Sequence, residues 1–231
     1  MKQSQDGLGK SWQKNKVAPE YECPLCRAGL ATPYFSDRKR EFFRCKSCGL
    51  VSVPEKYHLS ESDEKIRYDL HENHPDNKGY FNFLNNFVSV IRKYIVESSN
   101  GLDFGSGPTP VLAEILSSIG YDITIFDPFY ADDRFVLDNK YDFITLVEVV
   151  EHLKDPEEEL RTLWECLNQG GMIGIMTGFL PEDKDEFRGW SYKNDSTHIC
   201  FYSVDTFKWI SKSLNSELMF PADNIVLMFK T

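Results

Sequence analysis

The sequence lacks two features that would place the protein in or across a membrane. No apolar run is long enough to span a bilayer, which excludes a helical membrane protein, and we expect no membrane partner. The amino-terminal segment has no apolar core of a secretory signal, so the cytoplasm is the expected compartment. Residues 1–19 are mostly polar and are predicted to form a disordered tail.

Basic side chains are fewer than acidic ones, and the difference varies along the chain. The 231 residues include 26 Lys and Arg against 36 Asp and Glu, a net charge of −10. Residues 1–60 carry eleven basic and six acidic side chains, so the acidic surplus lies in residues 61–231. An acidic main body repels a nucleic-acid backbone, whereas a basic appendage could still bind one.

Cysteine is sparse, and four of the six cysteines fall in two C-x-x-C pairs. CPLC (Cys23, Cys26) and CKSC (Cys45, Cys48) are 18 residues apart, and YFSDRKREFFRC between them predicts a hairpin. Each pair can direct two thiolates at one ion from a tight turn. The alternatives are two disulfides, which a reducing cytoplasm disfavours, and a redox C-x-x-C, which the doubling disfavours. We predict a closed structural zinc ribbon over residues 20–58.

From about residue 78, helical patterns alternate with apolar segments. GYFNFLNNFVSVIRKYI has the periodicity of an amphipathic helix, and DPEEELRTLWECLNQGG predicts a helix capped by Asp155 with Pro156 at its first position. The segments GLDFG, DITIFD, RFVL, YDFITLVEVV and MIGIMTG predict strands. Strands that alternate with helices imply an α/β fold with a parallel sheet covered on both faces.

The segment LDFGSGPTP follows the first predicted strand of this sheet. Gly105 and Gly107 let the backbone pass close to a ligand. A dinucleotide fold has a further glycine where this chain has Pro110, and proline offers no N–H to a pyrophosphate. Asp127, at the end of the next strand, could accept both hydroxyls of a ribose, and Asp103 could favour an ammonium group. A nucleoside with a cationic amino-acid tail and no phosphate, S-adenosylmethionine, matches these residues.

Three motifs in order, LDFGSGP, ITIFDP and YDFITLVEVVEHL, resemble the class I S-adenosylmethionine-dependent methyltransferases over about residues 65–231. The chain is most similar to a bacterial subgroup in which a CPLC…CxxC zinc ribbon precedes this fold. The resemblance implies a Rossmann-like sheet of seven strands with an antiparallel last strand, SELMF and NIVLMFK forming the final hairpin. The methyltransferase domain would span residues 99–231, after a linker, lid and leading helix over residues 59–98.

The resemblance also implies which residues contact the cofactor. The first motif would lie against the methionine part, Asp127 would bind the ribose, and the end of YDFITLVEVV would lie at the methyl donor. The residues so implied are Asp103, Phe104, Gly105, Ser106, Gly107, Asp127, Pro128, Glu148 and Val149. The alternative for each glycine is a plain strand–helix turn, and for Asp127 a loop cap.

Methyl transfer from a sulfonium needs an aligned nucleophile and, for some acceptors, a base. His198 and His152 both follow strand ends near the expected acceptor, and each is a candidate general base. Asp195 could orient His198, while Trp190 and Tyr192 could wall a planar substrate or serve as core anchors. The alternative for His152 is a structural residue that holds its loop.

Three functions follow from these motifs. The leading hypothesis is methyl transfer to O, N or C of a small-molecule acceptor, because the main body is acidic and because EVVE replaces the Asn/Asp-Pro-Pro-aromatic clamp of amino-methylating DNA enzymes. The alternatives are a methyltransferase that modifies RNA or protein through the ribbon, and a non-catalytic module that binds the cofactor structurally. The ribbon's contact patch would be Arg38, Lys39, Arg40, Arg44 and Lys46.

Overall fold

The computed structural model describes residues 21–70 and 76–231, so the predicted disordered tail lies outside the described residues. Its strands are β1 (Tyr21–Glu22), β2 (Leu30–Ser36), β3 (Glu41–Cys45), β4 (Val51–Ser52), β5 (Asn100–Phe104), β6 (Asp122–Phe126), β7 (Tyr141–Val147), β8 (Leu167–Met176), β9 (Cys200–Phe201), β10 (Ser216–Ala222) and β11 (Ile225–Lys230). Its α-helices are α1 (Glu61–Tyr68), α2 (Lys78–Ile91), α3 (Val111–Ser118), α4 (Pro156–Cys166), α5 (Lys184–Gly189) and α6 (Val204–Leu214). No helix in these ranges is both long and apolar enough to cross a membrane.

The larger sheet has the strand order β10-β11-β8-β7-β5-β6. Strands β8, β7, β5 and β6 run parallel, and β11 lies antiparallel to both β8 and β10. The predicted α/β class and the antiparallel last strand are confirmed. The predicted count of seven strands is wrong, because the sheet formed by the described residues has six.

The missing seventh strand is the segment RFVL, which forms a 3-10 helix over Arg134–Asp138 instead of a strand. The side chain of Asp133 accepts a hydrogen bond from the backbone N–H of Phe135 at 3.1 Å and so starts the helix. Phe135 is 82% exposed, whereas Val136 and Leu137 are half-buried and pack against the core, so the segment contacts the core as a short helix and not as a paired strand. A four-residue apolar run does not distinguish a strand from a short helix.

Helices cover both faces of the larger sheet. On one face, Leu84 of α2 and Ile115 of α3 pack in one cluster with Phe143 of β7. On the other face, Leu160 of α4 packs in a second cluster with Ile144, the next residue of β7. Successive strand residues point to opposite faces, so this alternation confirms the predicted two-sided burial of a parallel sheet.

The predicted helix starts depend on local capping and are confirmed. Asp155 caps α4, its side chain accepting from the backbone N–H of Glu158, and Pro156 is the first helical residue. Asn77 caps α2 in the same way. Pro110 is the N-cap of α3, immediately before the first helical residue, Val111.

A smaller antiparallel sheet has the order β1-β2-β3-β4-β9. Strands β2 and β3 form the predicted hairpin between the two C-x-x-C pairs, and we call residues 21–58 the cysteine ribbon. The last strand, β9, comes from a distant part of the chain, with Val51 opposite Phe201 and Ser52 opposite Cys200. The cysteine ribbon therefore completes its sheet with a strand that lies, along the chain, between β8 and β10 of the larger sheet.

Buried aromatic rings join the cysteine ribbon to the rest of the molecule. The ring of Phe42 in β3 lies 5.3 Å from that of Phe187 in α5 and 5.8 Å from that of Phe201 in β9. All three side chains are fully buried. Aromatic rings at these distances, in edge-to-face or tilted geometry, stabilise the folded protein by more than the burial of their apolar area alone.

Candidate functional site

A cavity of about 970 Å³ lies at the carboxyl ends of β5, β6 and β7, where ligands bind in parallel α/β sheets. One part of its lining, which we call the glycine wall, consists of residues 104–107 and 126–130. A second part, the histidine wall, consists of Glu148, His152 and His198. The structure thus brings both predicted histidines to the same cavity as the glycine turn.

Gly105 occupies a position that no other residue could take without displacing a neighbour. Its φ is +80°, and a Cβ built on it would lie 2.4 Å from Cγ2 of Val149. Its N–H donates to the carbonyl of Phe126 at 2.8 Å, which joins the ends of β5 and β6. Gly107 also has a positive φ, +70°, but a Cβ there would meet nothing within 4 Å.

The carboxylate of Asp127 holds the glycine wall together. It accepts from the backbone N–H of Gly107 at 2.9 Å, of Phe129 at 2.9 Å and of Tyr130 at 3.2 Å. The loop-cap alternative thus describes part of its role. A carboxylate has about four acceptor positions, so one remains, on Oδ2, for a ligand hydroxyl in the cavity that Asp127 lines.

Asp103 lies beneath the glycine wall and not in the cavity lining. Its side chain is 3% exposed and accepts from the hydroxyl of Thr145 at 2.9 Å. Burial raises the pKa of Asp103 to about 7. Any effect of Asp103 on a ligand therefore acts through its charge and not by direct contact. The predicted residues Phe104, Ser106, Pro128 and Val149 do line the cavity.

The carboxyl group of Glu148, in the histidine wall, lies next to that of Glu151 behind it. The hydroxyl of Tyr192 reaches Glu148 Oε2 at 3.1 Å and also Glu151 Oε1, and Thr177 Oγ1 donates to Glu151 Oε2 at 2.9 Å. Burial and the charge of Glu151 raise the pKa of Glu148 to about 8, and burial raises that of Glu151. Glu148 also has a φ of +54°, a strained conformation for a residue with a side chain.

The two histidine rings lie 4.8 Å apart, centroid to centroid. Nδ1 of His152 lies 3.1 Å from the carbonyl oxygen of Thr197, and Nδ1 of His198 lies 2.8 Å from that of Tyr192. The carbonyl of Tyr192, and not the predicted Asp195, therefore orients the ring of His198. Burial lowers the pKa of both imidazoles, that of His198 to about 3, so both are neutral at pH 7.

Helix α1 connects the two walls. The ring of Tyr68 lies 5.4 Å from that of His152 and 5.6 Å from that of Phe129, and all three residues line the cavity. Buried Glu64 accepts from Tyr68 at 3.0 Å and pairs with Lys154 at 2.8 Å. The predicted lid segment thus begins at the cavity, and its residues His71 and Asn73 lie outside the described residues.

A family of methyltransferase domains matches residues 77–218, more than half of the chain. The chain belongs to this family. This membership supports S-adenosylmethionine as the methyl donor. No curated protein sequence matches the chain.

Two solved structures show the same fold as this methyltransferase. The 1,6-didemethyltoxoflavin-N1-methyltransferase of Burkholderia thailandensis, with 1,6-didemethyltoxoflavin and S-adenosylhomocysteine bound, has a TM-score of 0.52 and 12% identity, covering 86% of this chain and 99% of that one. A Methanococcus maripaludis protein assigned as an S-adenosylmethionine-dependent methyltransferase has a TM-score of 0.52 and 16% identity, covering 75% and 96%.

The four paired cysteines of the methyltransferase form one cluster. The sulfur atoms of Cys23, Cys26, Cys45 and Cys48 all lie within 4.8 Å of one another, and none of these residues forms a disulfide. Zinc–sulfur bonds of about 2.3 Å in a tetrahedron place sulfur atoms about 3.8 Å apart. The cluster therefore has the donor set and the spacing for a four-thiolate ion, with no protein ligand position left open.

Sequence reasoning missed one residue that supports the histidine wall from the cysteine ribbon. Arg40 is 7% exposed, and its guanidinium donates to the carbonyls of Asp195 at 2.8 Å and His198 at 2.9 Å, and also to that of Lys193. Burial of this residue removes it from the basic patch predicted to contact a macromolecule. The only sequence signal was an arginine at the end of a charged turn, which is more often exposed.

Trp190 and Tyr192 lie behind the histidine wall and not in the cavity lining. Their rings stack at 5.0 Å, and the ring of Trp190 lies 6.0 Å from that of Phe187. Of the two predicted roles, the structure favours that of core anchors. Glu151 was also missed, although its place next to His152 in the segment EVVEH was a usable signal.

Proposed function

We propose that the protein transfers the methyl group of S-adenosylmethionine to an O, N or C atom of a small-molecule acceptor. The observation that carries this proposal is a single cavity that the glycine wall and the histidine wall both line. A methyltransferase must hold donor and acceptor in line within one water-poor site. The first wall offers backbone groups to the cofactor, and the second offers polar side chains to the acceptor.

In this proposal the cofactor lies along the glycine wall. Its methionine part contacts Phe104, Gly105, Ser106 and Gly107. One of its ribose hydroxyls donates to the free lone pair of Asp127, next to Pro128. Glu148 and Val149 lie at the methyl donor. Asp103 acts from beneath, because a carboxylate there lowers the energy of the ligand's ammonium group.

The acceptor class follows from the size and charge of the cavity. A volume of about 970 Å³ is at the upper end for small-ligand sites, which leaves room for an acceptor beside the cofactor. Eight Asp and Glu residues line it against one Arg and one Lys, so a phosphate backbone would be repelled. Both properties favour a small acceptor without several negative charges.

His152 and His198 are proposed to act on the acceptor through Nε2. A carbonyl oxygen can only accept a hydrogen bond, so each Nδ1 that contacts one carries the ring proton. In the neutral ring, Nε2 then has a free lone pair. Either imidazole can accept the acceptor's proton during transfer, as a general base does, but the pKa of His198, lowered to about 3 by burial, makes it a weak base.

Calorimetric titration with S-adenosylhomocysteine tests the cofactor site. We expect saturable binding by the wild-type protein and a loss of 10-fold or more in Asp127→Asn, which keeps the size of the side chain. The matched control is Asp132→Asn, which removes another carboxylate from the cavity lining and should bind as the wild type does. No binding by folded wild-type protein would refute the proposal.

Transfer of a labelled methyl group to cell-extract fractions tests the acceptor class. We expect label in a fraction of small molecules that survives nuclease and protease treatment. Label that nuclease or protease removes would instead support a macromolecular acceptor held by the cysteine ribbon. That alternative has less support, because Arg40 in the centre of the proposed patch is buried against backbone carbonyls. Unlabelled extract with intact cofactor binding would support the non-catalytic alternative.

We also propose that the four-cysteine cluster holds structural zinc, on the strength of its donor set and spacing. Thiolates that bind zinc must stay reduced, which agrees with the cytoplasm as the expected compartment.

A further inference from the structure

We propose that Glu151, His152 and His198 bind a divalent metal ion at the histidine wall. Each of the three residues offers one ligand atom, and these atoms all lie within 4.8 Å of one another. Two imidazole nitrogens and one carboxylate oxygen are a known ligand set for first-row divalent ions, with further coordination positions left open. This site is separate from the four-cysteine cluster, whose ligands are all sulfur.

The hydrogen bonds of both histidines are those expected of metal ligands. The Nδ1 proton of His152 is held by the carbonyl of Thr197, and that of His198 by the carbonyl of Tyr192. Histidines that bind metal nearly always donate their other N–H to a carbonyl or carboxylate, which fixes the tautomer and the ring orientation. The lone pairs of both Nε2 atoms are therefore fixed in direction before any ligand binds.

The charge behind the histidine wall also favours a cation. Glu151 is 0% exposed, and it shares the hydroxyl of Tyr192 with Glu148. One phenolic proton cannot be donated to both carboxylates at once. Within residues 21–70 and 76–231, no Lys or Arg side chain forms an ion pair with either glutamate. The two carboxyl groups also hydrogen-bond to each other, and a divalent ion would pair with their remaining negative charge.

The hydrogen bonds of Glu151 leave it able to bind the ion. Thr177 Oγ1 occupies one lone pair of Oε2, and Tyr192 one lone pair of Oε1. The carboxyl group of Glu148 and the backbone N–H of Glu151 take the other two of about four positions, so an ion would replace the contact with Glu148. The hydrogen bonds from Thr177 and Tyr192 hold the carboxyl plane in place, as outer-shell partners of metal ligands do.

Because His152 and His198 line the cavity, the open positions of the ion would be filled by oxygen atoms of the acceptor. This step rests on the proposed function, but the Nε2 atoms of His152 and His198 would bind the ion and would not act as general bases. It narrows the acceptor to a compound with a hydroxyl group. A metal-bound hydroxyl has a lower pKa and loses its proton to solvent before transfer. The acceptor's O–CH3 bond then forms as the S–CH3 bond breaks, and the bonding electron pair goes to sulfur, leaving S-adenosylhomocysteine.

Manganese binding followed by electron paramagnetic resonance tests the site directly. Mn²⁺ prefers oxygen and nitrogen ligands and so avoids the four-cysteine cluster, which is kept loaded with zinc. We expect one Mn²⁺ per wild-type chain, with nitrogen couplings from imidazole in the pulsed spectrum. We expect affinity to fall 10-fold or more in His198→Ala and in Glu151→Gln, in line with the usual effect of disturbing a metal site.

The matched control is His58→Ala. His58 is also a half-buried histidine whose ring contacts a backbone carbonyl, that of Val53 at 2.8 Å, but it does not line the cavity. It should bind Mn²⁺ as the wild type does. No saturable Mn²⁺ binding by the wild type, a bound ion without nitrogen couplings, or equal affinity in all variants would overturn the inference.

Titration of the same samples with S-adenosylhomocysteine separates this inference from the proposed function. Cofactor binding without Mn²⁺ binding would remove the metal site and leave the methyltransferase proposal standing. Mn²⁺ binding without cofactor binding would refute the methyltransferase proposal and leave the metal site standing. The wild-type spectrum decides the metal question even if one variant does not fold.

Discussion

The glycine wall and the histidine wall line one cavity but are built in different ways. The glycine wall comes from two neighbouring strands, β5 and β6, and is held by backbone N–H groups that donate to Phe126 and Asp127. The histidine wall combines the end of β7, the segment before β9 and a side chain of the cysteine ribbon, Arg40. A wall made of local backbone tolerates few substitutions within it, whereas a wall assembled from distant segments depends on residues that never touch a ligand.

The largest difference between the walls is expected when the cysteine cluster is lost. In Cys45→Ser the ribbon loses a thiolate ligand, and structural zinc sites contribute on the order of 10 kcal/mol to folding. We expect zinc content to fall, the thermal unfolding temperature to drop by more than 10 °C (on the order of several kcal/mol), and the Arg40 contacts to be lost. Zinc analysis and calorimetric melting measure both effects.

The matched control for that change is Cys166→Ser, an identical chemical change at a buried cysteine outside the cluster. Cys166 donates to the carbonyl of Leu137 at 2.9 Å, which a serine hydroxyl can also do. Zinc content there should be unchanged. An equal loss of stability in both variants would contradict a structural metal in the ribbon.

Substitution of the two glycines in the glycine wall should weaken cofactor binding by steric clash at Gly105 but not at Gly107. Gly105→Ala places a methyl group 2.4 Å from Val149, whereas Gly107→Ala adds only the strain of a positive φ, about 1–2 kcal/mol. We expect S-adenosylhomocysteine affinity to fall more than about 100-fold in the first variant and about 10-fold or less in the second. Calorimetry measures both, and equal losses would show that the clash with Val149 is not the cause.

Arg40→Met should damage the histidine wall through the ribbon. The substitution leaves buried carbonyls of residues 193–198 without their charged donor, at a cost of about 3 kcal/mol. We expect methyl transfer to fall while the affinity for S-adenosylhomocysteine stays within about threefold, a difference below 1 kcal/mol. Urea unfolding measures the stability, and Arg38→Met, an exposed neighbour on the same turn, is the control. Equal effects of the two changes would favour the predicted macromolecule patch.

Substitution of Asp103 is expected to have the smallest effect, and it should increase the stability of the protein. In the folded protein the pKa of Asp103 is raised to about 7, above the unfolded value of about 3.9. The protonated carboxyl group therefore stabilises the folded protein fully below pH 4, and this stabilisation is lost as the pH rises through 7. Asp103→Asn should therefore stabilise the ligand-free protein by about 2 kcal/mol at pH 8 and by little at pH 4. Urea unfolding at the two pH values measures this. A variant less stable at pH 8 would contradict the proposed burial cost.

The sequence predicted the glycine wall well because its features are local. The turn at Gly105 and the acid at Asp127 each depend on residues near one another in the chain, as does the cap of α4 at Asp155 outside this wall. The strand predicted at RFVL was wrong because so short an apolar run has no periodicity to decide its structure. The arrangement of the histidine wall was beyond reach, since the contact between Arg40 and His198 spans 158 residues of chain.

The pairing of β4 with β9 limits how the protein can be shortened. The family match begins at residue 77, which would be the natural start for an excised catalytic fragment. Such a fragment would leave β9 with an unpaired edge and would uncover Phe187 and Phe201, which now pack against Phe42. An exposed strand edge beside bare aromatic rings invites association between copies. A fragment that begins at the start of the family match is therefore not expected to fold into a stable, soluble unit. We expect it to precipitate under conditions in which the whole chain stays in solution.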